Sequence, residues 1–415
     1  MQNKIKSILV IGDSKKSNES DNGFNIYEKY DIKVVFLTPS KKSSFQGLCY
    51  HLTPFNIRKK INDIINKHKI DLIYLRGDWF DLTIKIYAEK IISMKTSIPI
   101  VFGYHCHTAM ITDLEKNIIN NADGLVLLNK WAENYFMIEC NIYNKNIFLV
   151  PSLFLPNLDF YKRSLQKRKS SSDGFLHCVI PTGVIRNSSL PDRKNKSINI
   201  ENFIFERYDY YSVIKNLAER NIKVHIYGKF HGHTKAKTKM TKYIYGMLKE
   251  QYSEHVFYHG FYNGNDFARE ISKYDFTIMT GIVPGQIPPP FEHMNYQVRL
   301  NTILAAKLPI FIAENTYHYM EDLIESKKIG AVYHSFDSLI EIVNDKKLLD
   351  GFTKNIENVF FEHSNDYWVP LLASYFRTVK KQNNKANIYV EKSLLIKWMS
   401  HNLLKIKSRI SSLLN

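Results

Sequence analysis

The chain has 415 residues, which is too long for one ordinary hydrophobic core and suits two domains of about 200 residues each. Hydrophobic residues make up 44% and charged residues 23%, so the composition excludes disordered and fibrous chains. A formal net charge of +17 predicts an anionic partner, such as nucleic acid, a phosphate-bearing substrate or an acidic membrane. A coding bias toward Lys, Asn and Ile would raise the lysine count without any function.

The four cysteines are scattered and form no CxxC pair: Cys49, Cys106, Cys140 and Cys178. Reduced thiols in a cytosolic protein are the simplest interpretation. The first residues lead directly into an apolar strand without a signal-peptide core, and no run of about 18 apolar residues occurs anywhere. We therefore expect a cytoplasmic location and no membrane-spanning helix.

Short apolar runs alternate with helical patterns through the first 150 residues. The runs lie at 7–12, 33–37, 72–75, 98–102, 124–128 and 146–151, and helical patterns lie at 57–68, 84–94 and 112–121. Apolar strands that alternate with helices of this size are typical of a parallel, doubly wound sheet. The sequence thus predicts an α/β domain over residues 1–156.

A second α/β set follows a polar, basic linker at 157–175. Its apolar runs lie at 176–180, 223–228, 256–260, 276–279, 310–312 and 330–333, with helices expected at 211–220 and 266–273. We predict a second Rossmann-like domain over 176–377 and a tail over 378–415. Two doubly wound domains that face each other form a cleft, which is a usual place for a substrate site.

The stretch at 296–313 is the most informative segment of the second set. A polar, partly basic run leads into a helix that ends at Leu304-Ala305-Ala306, and Pro309 stops this helix before the apolar strand at 310–312. The polar residues would lie near the start of the helix, beside the carboxyl ends of neighbouring strands. Anionic ligands are held at this position in open α/β sheets.

The order of these elements resembles the donor-binding domain of retaining GT-B glycosyltransferases, the "glycosyl transferases group 1" family. The segment Gly183-Val184-Ile185-Arg186 after the first strand resembles the family's Gly-Arg turn, and the Ala-Ala-Lys-Leu-Pro ending of the later helix resembles its donor-sugar helix. The resemblance covers most of 176–345 at pattern level, and residues 1–150 only as an α/β shape. It implies the GT-B fold, a nucleotide-sugar donor and no metal or other cofactor.

The resemblance also implies which residues hold the donor. Arg186 and Arg299 would neutralise the leaving diphosphate, and both are candidate catalytic residues together with His105. Each cation has a plainer alternative as a solvated surface group. The expected donor-binding set is Gly183, Arg186, Lys194, Lys196, Glu292, Asn295, Tyr296, Arg299 and Asn301.

Two departures from the family pattern affect the expected chemistry. The family has two glutamates eight residues apart, and this chain has Met294 and Thr302 there. Glu292, Asn295, Tyr296 or Asn301 would then contact the hydroxyls of the sugar or ribose. The Gly-Gly loop after the first strand is also absent. A divergent site and a loss of catalysis are both open.

Polar residues after two strands of the first half are candidates for the acceptor side. Arg76 and Asp78 follow the strand at 72–75, while His105 and His107 follow the strand at 98–102. Asp78 would act as a base in an inverting enzyme, or simply cap a helix. The two histidines would contact sugar or acceptor, or have a structural role. A metal site is the third alternative, although no second pair of ligands occurs at zinc spacing.

The tail from 388 to 415 has apolar residues on one helical face and basic residues elsewhere, which suits either a membrane surface or packing against the protein. The sequence as a whole favours a glycosyltransferase that moves a sugar to a glycan or lipid-linked acceptor in bacterial surface polysaccharide synthesis. The alternative is a catalytically degenerate GT-B protein that acts as a binding or partner subunit. Nucleic-acid binding is disfavoured because the basic residues are spread over the chain.

Overall fold

The computed structural model describes most of the chain between residues 5 and 379. The described residues are 5–12, 26–38, 47–51, 57–77, 82–94, 96–104, 113–142, 146–152, 155–186, 208–232, 234–262, 264, 266–286, 294, 296–297 and 299–379. Within them the chain forms two parallel sheets that are flanked by helices. No helix in these ranges is long and apolar enough to cross a membrane.

The first sheet has seven strands in the order β3-β2-β1-β4-β5-β6-β7, and all of its neighbouring strands are parallel. The strands are β1 (Ser7–Ile11), β2 (Lys33–Thr38), β3 (Leu48–His51), β4 (Leu72–Gly77), β5 (Ile100–Tyr104), β6 (Gly124–Leu127) and β7 (Asn146–Leu149). Helices α1 (Ile57–His68), α2 (Leu82–Ser93), α3 (Asp113–Asn121) and α4 (Lys130–Cys140) connect them.

Continuous apolar runs form the centre of this sheet because both of its faces are covered. All five residues of β1 and all five residues of β5 are buried. A parallel sheet with helices on both faces needs such runs, since alternation would place polar side chains in the core. The structure confirms the strands that were predicted at 7–12, 33–37, 72–75, 98–102, 124–128 and 146–151.

The second sheet has six parallel strands in the order β10-β9-β8-β11-β12-β13. The strands are β8 (His177–Ile185), β9 (Lys223–Phe230), β10 (Val256–Gly260), β11 (Phe276–Ile278), β12 (Ile310–Ala313) and β13 (Gly330–Tyr333). The helices are α5 (Ser170–Asp173), α6 (Tyr211–Glu219), α7 (Lys235–Gln251), α8 (Phe267–Ile271), α9 (Arg299–Ala305), α10 (His318–Lys327), α11 (Phe336–Asn344), α12 (Lys346–Val359) and α13 (Asn365–Thr378).

The chain divides into two compact units that differ from the predicted ranges at both ends of the second domain. The described residues of Met1–His105, Ile111–Asn157 and Asn365–Asn415 belong to the first unit, and those of Leu158–Ser364 belong to the second. The range 176–377 therefore runs past the end of the second unit, because α13 packs in the first. The Tyr375 hydroxyl lies 3.1 Å from the Leu125 carbonyl and 2.7 Å from that of Asn146.

The predicted linker at 157–175 is instead a packed part of the second unit. The Arg168 guanidinium donates to the carbonyl of Asp275 and to the Thr353 hydroxyl. The Lys169 amide donates to the Lys273 carbonyl at 2.8 Å. These bonds tie the segment to the start of β11, so its basic and polar residues have a structural use that composition does not show.

Candidate functional site

Three of the described candidate residues lie at the carboxyl edge of the second sheet. All strands of this sheet run parallel, so their carboxyl ends share one edge. Gly183 lies near the end of β8, Arg186 follows β8 directly, and Arg299 begins α9. In open α/β sheets ligands bind at this edge, which makes it the candidate site.

The end of β8 contains a bulge that exposes the backbone of Gly183. Pro181 pairs with Tyr227, but the next pair is Val184 with Lys229, so β8 has an additional residue here. A Cβ atom on Gly183 would meet no atom within 4 Å. The family's Gly-Arg turn was expected after the strand, whereas the structure places Gly183 inside it.

The close approach of β8 and β9 at this bulge requires a glycine in β9. A Cβ atom on Gly228 would lie 2.6 Å from the carbonyl oxygen of Thr182, a distance that no real contact allows. The Thr182 hydroxyl donates to the Val184 carbonyl at 2.8 Å and fixes the bulge. The sequence analysis did not single out Gly228. A glycine at the end of an apolar run is the pattern that could have indicated it.

The backbone of Arg186 is fixed from both sides. Its amide donates to the Tyr208 carbonyl at 2.9 Å, and its own carbonyl lies 2.9 Å from the Tyr245 hydroxyl. The guanidinium carbon lies 5.5 Å from the centroid of the Tyr208 ring, within cation–π range. A cation held in this way at the end of a parallel strand suits a fixed anion.

The Arg299 guanidinium bonds to protein groups on three sides. It donates to the Gln297 side-chain oxygen, with the Nε bond at 2.7 Å, to the Tyr210 hydroxyl at 3.0 Å, and to the Met279 carbonyl. Met279 directly follows β11, so these bonds join the start of α9 to the strand end. The expected role of Arg299 at the diphosphate stays a prediction, and the observed bonds give it a positioning role.

Two buried polar atoms that the sequence analysis did not single out belong to a residue that bonds to Arg299 and to a neighbour in the chain of another such residue. The Gln297 side-chain nitrogen and the Thr280 hydroxyl have no hydrogen-bond partner among the described residues. The other end of the Gln297 amide accepts from Arg299, and Thr280 follows Met279 in the chain. Buried polar atoms normally have partners, so these two mark a place where a polar ligand group would bind.

Tyr296 and Asn301 lie in the interior of the second unit. Each is about 1% exposed, and the Tyr296 hydroxyl donates to the Asn301 side-chain oxygen at 2.5 Å. The Tyr161 hydroxyl donates to the His363 carbonyl at 2.7 Å and closes the network. Burial lowers the pKa of His363 to about 4, so this ring is neutral near pH 7. Both side chains bond within the protein, and their expected contact with donor hydroxyls stays a prediction.

The candidates of the first half are described only in part. Arg76 lies at the carboxyl end of β4 and is 4% exposed. A Cβ atom on Gly12 would lie 3.4 Å from that of Arg76, so the arginine packs beside the end of β1. The remaining candidates, for the acceptor and the donor alike, fall outside the described residues: Asp78, His105, His107, Lys194, Lys196, Glu292 and Asn295. The described ranges contain no group of three or more His, Cys, Asp or Glu arranged to hold a metal ion.

Two parallel sheets, each wound with helices, define a chain of two Rossmann-like domains. No protein-family model and no curated protein matches its sequence. Solved structures do match. The UDP complex of Alr3699/HepE from Anabaena has a TM-score of 0.59 at 12% identity, and the match covers 89% of this chain and 100% of that one.

Two further structures match over a similar extent. Sucrose-phosphate synthase from Thermosynechococcus elongatus has a TM-score of 0.57 at 12% identity, covering 89% of this chain and 99% of that one. The E. coli trehalose-6-phosphate structure bound with UDP-2-fluoro glucose has a TM-score of 0.61 at 9% identity, covering 90% and 99%. These matches show that the chain has the GT-B fold, as the sequence predicted.

Proposed function

We propose that the protein is a glycosyltransferase that uses a nucleotide-sugar donor. The observation that carries this proposal is the end of β8, where the bulge exposes the Gly183 backbone and Arg186 follows directly. An open backbone next to a fixed cation suits a diphosphate. Two of the matching structures hold UDP or UDP-2-fluoro glucose, which supports a nucleotide donor for this chain.

The reaction requires stabilisation of the charge that develops on the leaving diphosphate. Arg186 would supply this stabilisation, which counts only to the extent that it is stronger in the transition state than in the bound donor. Arg299, through its bonds to Gln297 and Met279, would hold α9 against the end of β11. No cofactor or metal is part of this proposal, and retention of anomeric configuration is favoured by the family resemblance.

We assign the acceptor side to the first half of the chain, with Arg76, Asp78, His105 and His107 as its candidates. The acceptor class is a glycan or a lipid-linked sugar, and the proposed role is bacterial surface polysaccharide synthesis. The proposed location is cytoplasmic, with peripheral contact to the inner face of the cell membrane. The net charge of +17 supports both an anionic donor and an anionic membrane surface.

A degenerate GT-B protein that serves as a binding or partner subunit is the second candidate. One observation favours it: Met294, which replaces the first family glutamate, is 2% exposed and therefore buried. A buried thioether offers no charge to a sugar hydroxyl. This candidate predicts nucleotide-sugar binding without transfer, or no binding.

A screen of nucleotide-sugars by thermal unfolding tests the proposal. A ligand at 100 times its Kd stabilises the native state by roughly 2.7 kcal/mol, which is easily resolved as a rise in Tm. We expect one nucleotide-sugar to raise Tm and to be hydrolysed or transferred slowly. Stabilisation without any turnover would favour the partner subunit, and no stabilisation by any nucleotide or nucleotide-sugar would refute the glycosyltransferase.

A further inference from the structure

Helix α7 is firmly attached to the second unit through one face. Thr241, Tyr245 and Leu248 are each about 1% exposed or less. The Tyr245 hydroxyl accepts from the Tyr210 amide at 2.9 Å, and the Thr234 side chain caps the first turn by accepting from the Lys237 amide. The orientation of the helix is therefore fixed, and so is the identity of the residues on its outer face.

The outer face of α7 carries an apolar stripe. Met240 is 47%, Tyr243 62% and Met247 45% exposed. With Ala236, which is also exposed, they follow the spacing i, i+4, i+7 and i+11, which places all four on one side of a helix. Three large apolar side chains grouped on one exposed helix indicate an interaction surface, whereas single ones do not.

A row of lysines runs along one flank of this stripe. The helix has five lysines and one acidic residue, Glu250. Four of the lysines lie on the same flank and are exposed: Lys235, Lys239, Lys242 and Lys249. None of these four has a described carboxylate within ion-pair distance. The stripe and these four lysines together are called the α7 surface.

We propose that the α7 surface is a peripheral contact with an anionic lipid bilayer. Tyr and Met side chains would enter the boundary between headgroups and acyl chains, and the adjacent lysines would reach lipid phosphates by extending their long stems. The helix is 17 residues long, or about 25 Å, and the stripe runs over its middle turns. The contact requires no donor chemistry and does not rest on the proposed enzymatic function.

An acidic protein and a nucleic acid fit the α7 surface less well than a lipid bilayer does. Three side chains of this size, about half exposed, offer on the order of 300 Å², well below the roughly 800 Å² that each partner contributes to a standard protein interface. A nucleic acid would use the lysines and gain little from Met240 and Met247, because its affinity comes mainly from phosphate contacts. A lipid surface needs no large interface area and would use the apolar stripe and the lysine row together.

Sedimentation of the full-length protein with vesicles tests the proposal. The vesicles contain phosphatidylcholine alone or mixed with phosphatidylglycerol. The first variant removes the stripe (M240S/Y243S/M247S), and the second reverses two charges (K239E/K242E). Matched controls are I138S, at an apolar position that is 79% exposed on α4, and K346E/K347E on α12. All substituted positions are exposed, so Tm should stay close to that of the parent.

We expect the parent to bind only the anionic vesicles, and each α7 variant to bind them at least about tenfold more weakly, since one lysine near such a surface changes affinity about fivefold. The controls should stay within about twofold of the parent. Parent-like binding by both α7 variants would overturn the proposal and assign any membrane contact to another segment. Absence of vesicle binding by the parent would also overturn it. Tight RNA binding that is lost in K239E/K242E and kept in the stripe variant would replace the lipid by a nucleic acid.

Discussion

The two faces of the second sheet are formed by alternating residues of the same strands. One face carries apolar side chains, and the other carries polar rings on two of its strands. One face presents Cys178, Ile180, Val224, Ile226, Phe276, Ile278, Phe311 and Ala313 to an apolar cluster that includes α6, α7, α11 and α12. The opposite face carries His177, His225 and Tyr227 along β8 and β9. The comparison shows that a parallel sheet can cover one face with apolar packing and part of the other with hydrogen-bonded rings.

The polar face contains a ladder of three histidines on neighbouring strands. His177 Nδ1 lies 2.8 Å from His225 Nε2, and His225 Nδ1 lies 3.0 Å from His259 Nε2. Asp173 accepts from His177 Nε2 at 3.1 Å and is itself bonded to Lys223. Because an ionised carboxylate only accepts, each neutral ring must donate toward Asp173 and accept from the next ring.

Burial keeps the two interior rings, His177 and His225, neutral near pH 7. Burial lowers the pKa of His177 and of His259, and it lowers the pKa of His225 to about 2, with nearby cations acting in the same direction. His177 and His225 are each 2% exposed, while His259 is exposed. The ladder thus runs from the interior of the unit to its surface.

The largest loss of stability is expected on the apolar face. Phe311→Ala removes a fully buried ring and leaves a cavity, which should lower the free energy of unfolding by about 3–5 kcal/mol. Urea unfolding measures this change, with Ile138→Ala as the exposed control. A loss below about 1 kcal/mol would mean that the cluster repacks and that the two faces differ less than their chemistry suggests.

A smaller loss is expected when the ladder is broken at its centre. His225→Phe keeps an aromatic ring but removes both hydrogen bonds, so the buried His177 Nδ1 loses its partner. We expect a loss of about 1–3 kcal/mol in the free energy of unfolding. His259→Phe is the comparison, and it should cost less because it removes only one of the two bonds between rings. Parent-like stability of His225→Phe would show that ring packing, and not hydrogen bonding, holds this face.

The pH dependence of stability should come partly from the ladder. Its folded-state pKa values lie below the unfolded value of about 6.5, so the unfolded chain binds more protons as the pH falls. This stability is fully present above pH 6.5 and is lost progressively below it, by an amount on the order of 2 kcal/mol near pH 4.5.

Urea unfolding at a series of pH values measures this slope. His225→Phe should make it shallower, since the most strongly shifted ring is gone, while His363 still contributes in the same range. Equal slopes in the parent and in His225→Phe would exclude the ladder as the source of the pH dependence of stability.

The smallest effect on stability is expected at the carboxyl edge, at Arg186. Its backbone bonds survive truncation of the side chain, so Arg186→Ala should change the free energy of unfolding by less than about 0.5 kcal/mol. Donor turnover should nevertheless be abolished, because the charge is needed as the diphosphate leaves. Turnover is measured with the nucleotide-sugar found in the thermal screen, and Lys346→Ala is the control. Normal turnover by Arg186→Ala would remove this residue from the mechanism.

Apolar periodicity predicted most strands and the double α/β architecture, because buried parallel strands leave continuous apolar runs in a sequence. It missed β3, whose residues Leu48–His51 are mostly exposed and give no such run. It also missed the true length of β8, since Pro181, Thr182 and Gly183 read as a turn. Local pattern cannot reveal a bulge that depends on the register of a neighbouring strand.

The sequence indicated which edge of the sheet carries the candidate site, but not how its side chains are arranged. Gly183 lies inside β8, where the resemblance implied a turn, and Arg186 follows the strand directly, while their roles at the donor stay predictions. Tyr296 and Asn301 are buried, and Arg299 bonds to groups from three segments, because these outcomes depend on contacts distant in sequence. The histidine ladder has the same origin, since its bonded neighbours are 48 and 34 positions apart in the chain.

The assignment of α13 to the first unit has a consequence for how the chain becomes folded during synthesis. The described residues of the second unit all lie within Leu158–Ser364, while the first unit is complete only when Tyr375 has been made and can bond to Leu125 and Asn146. Domains usually fold in the order in which they leave the ribosome. Here the unit that is begun first is finished last, so the second unit can reach its native state before the first.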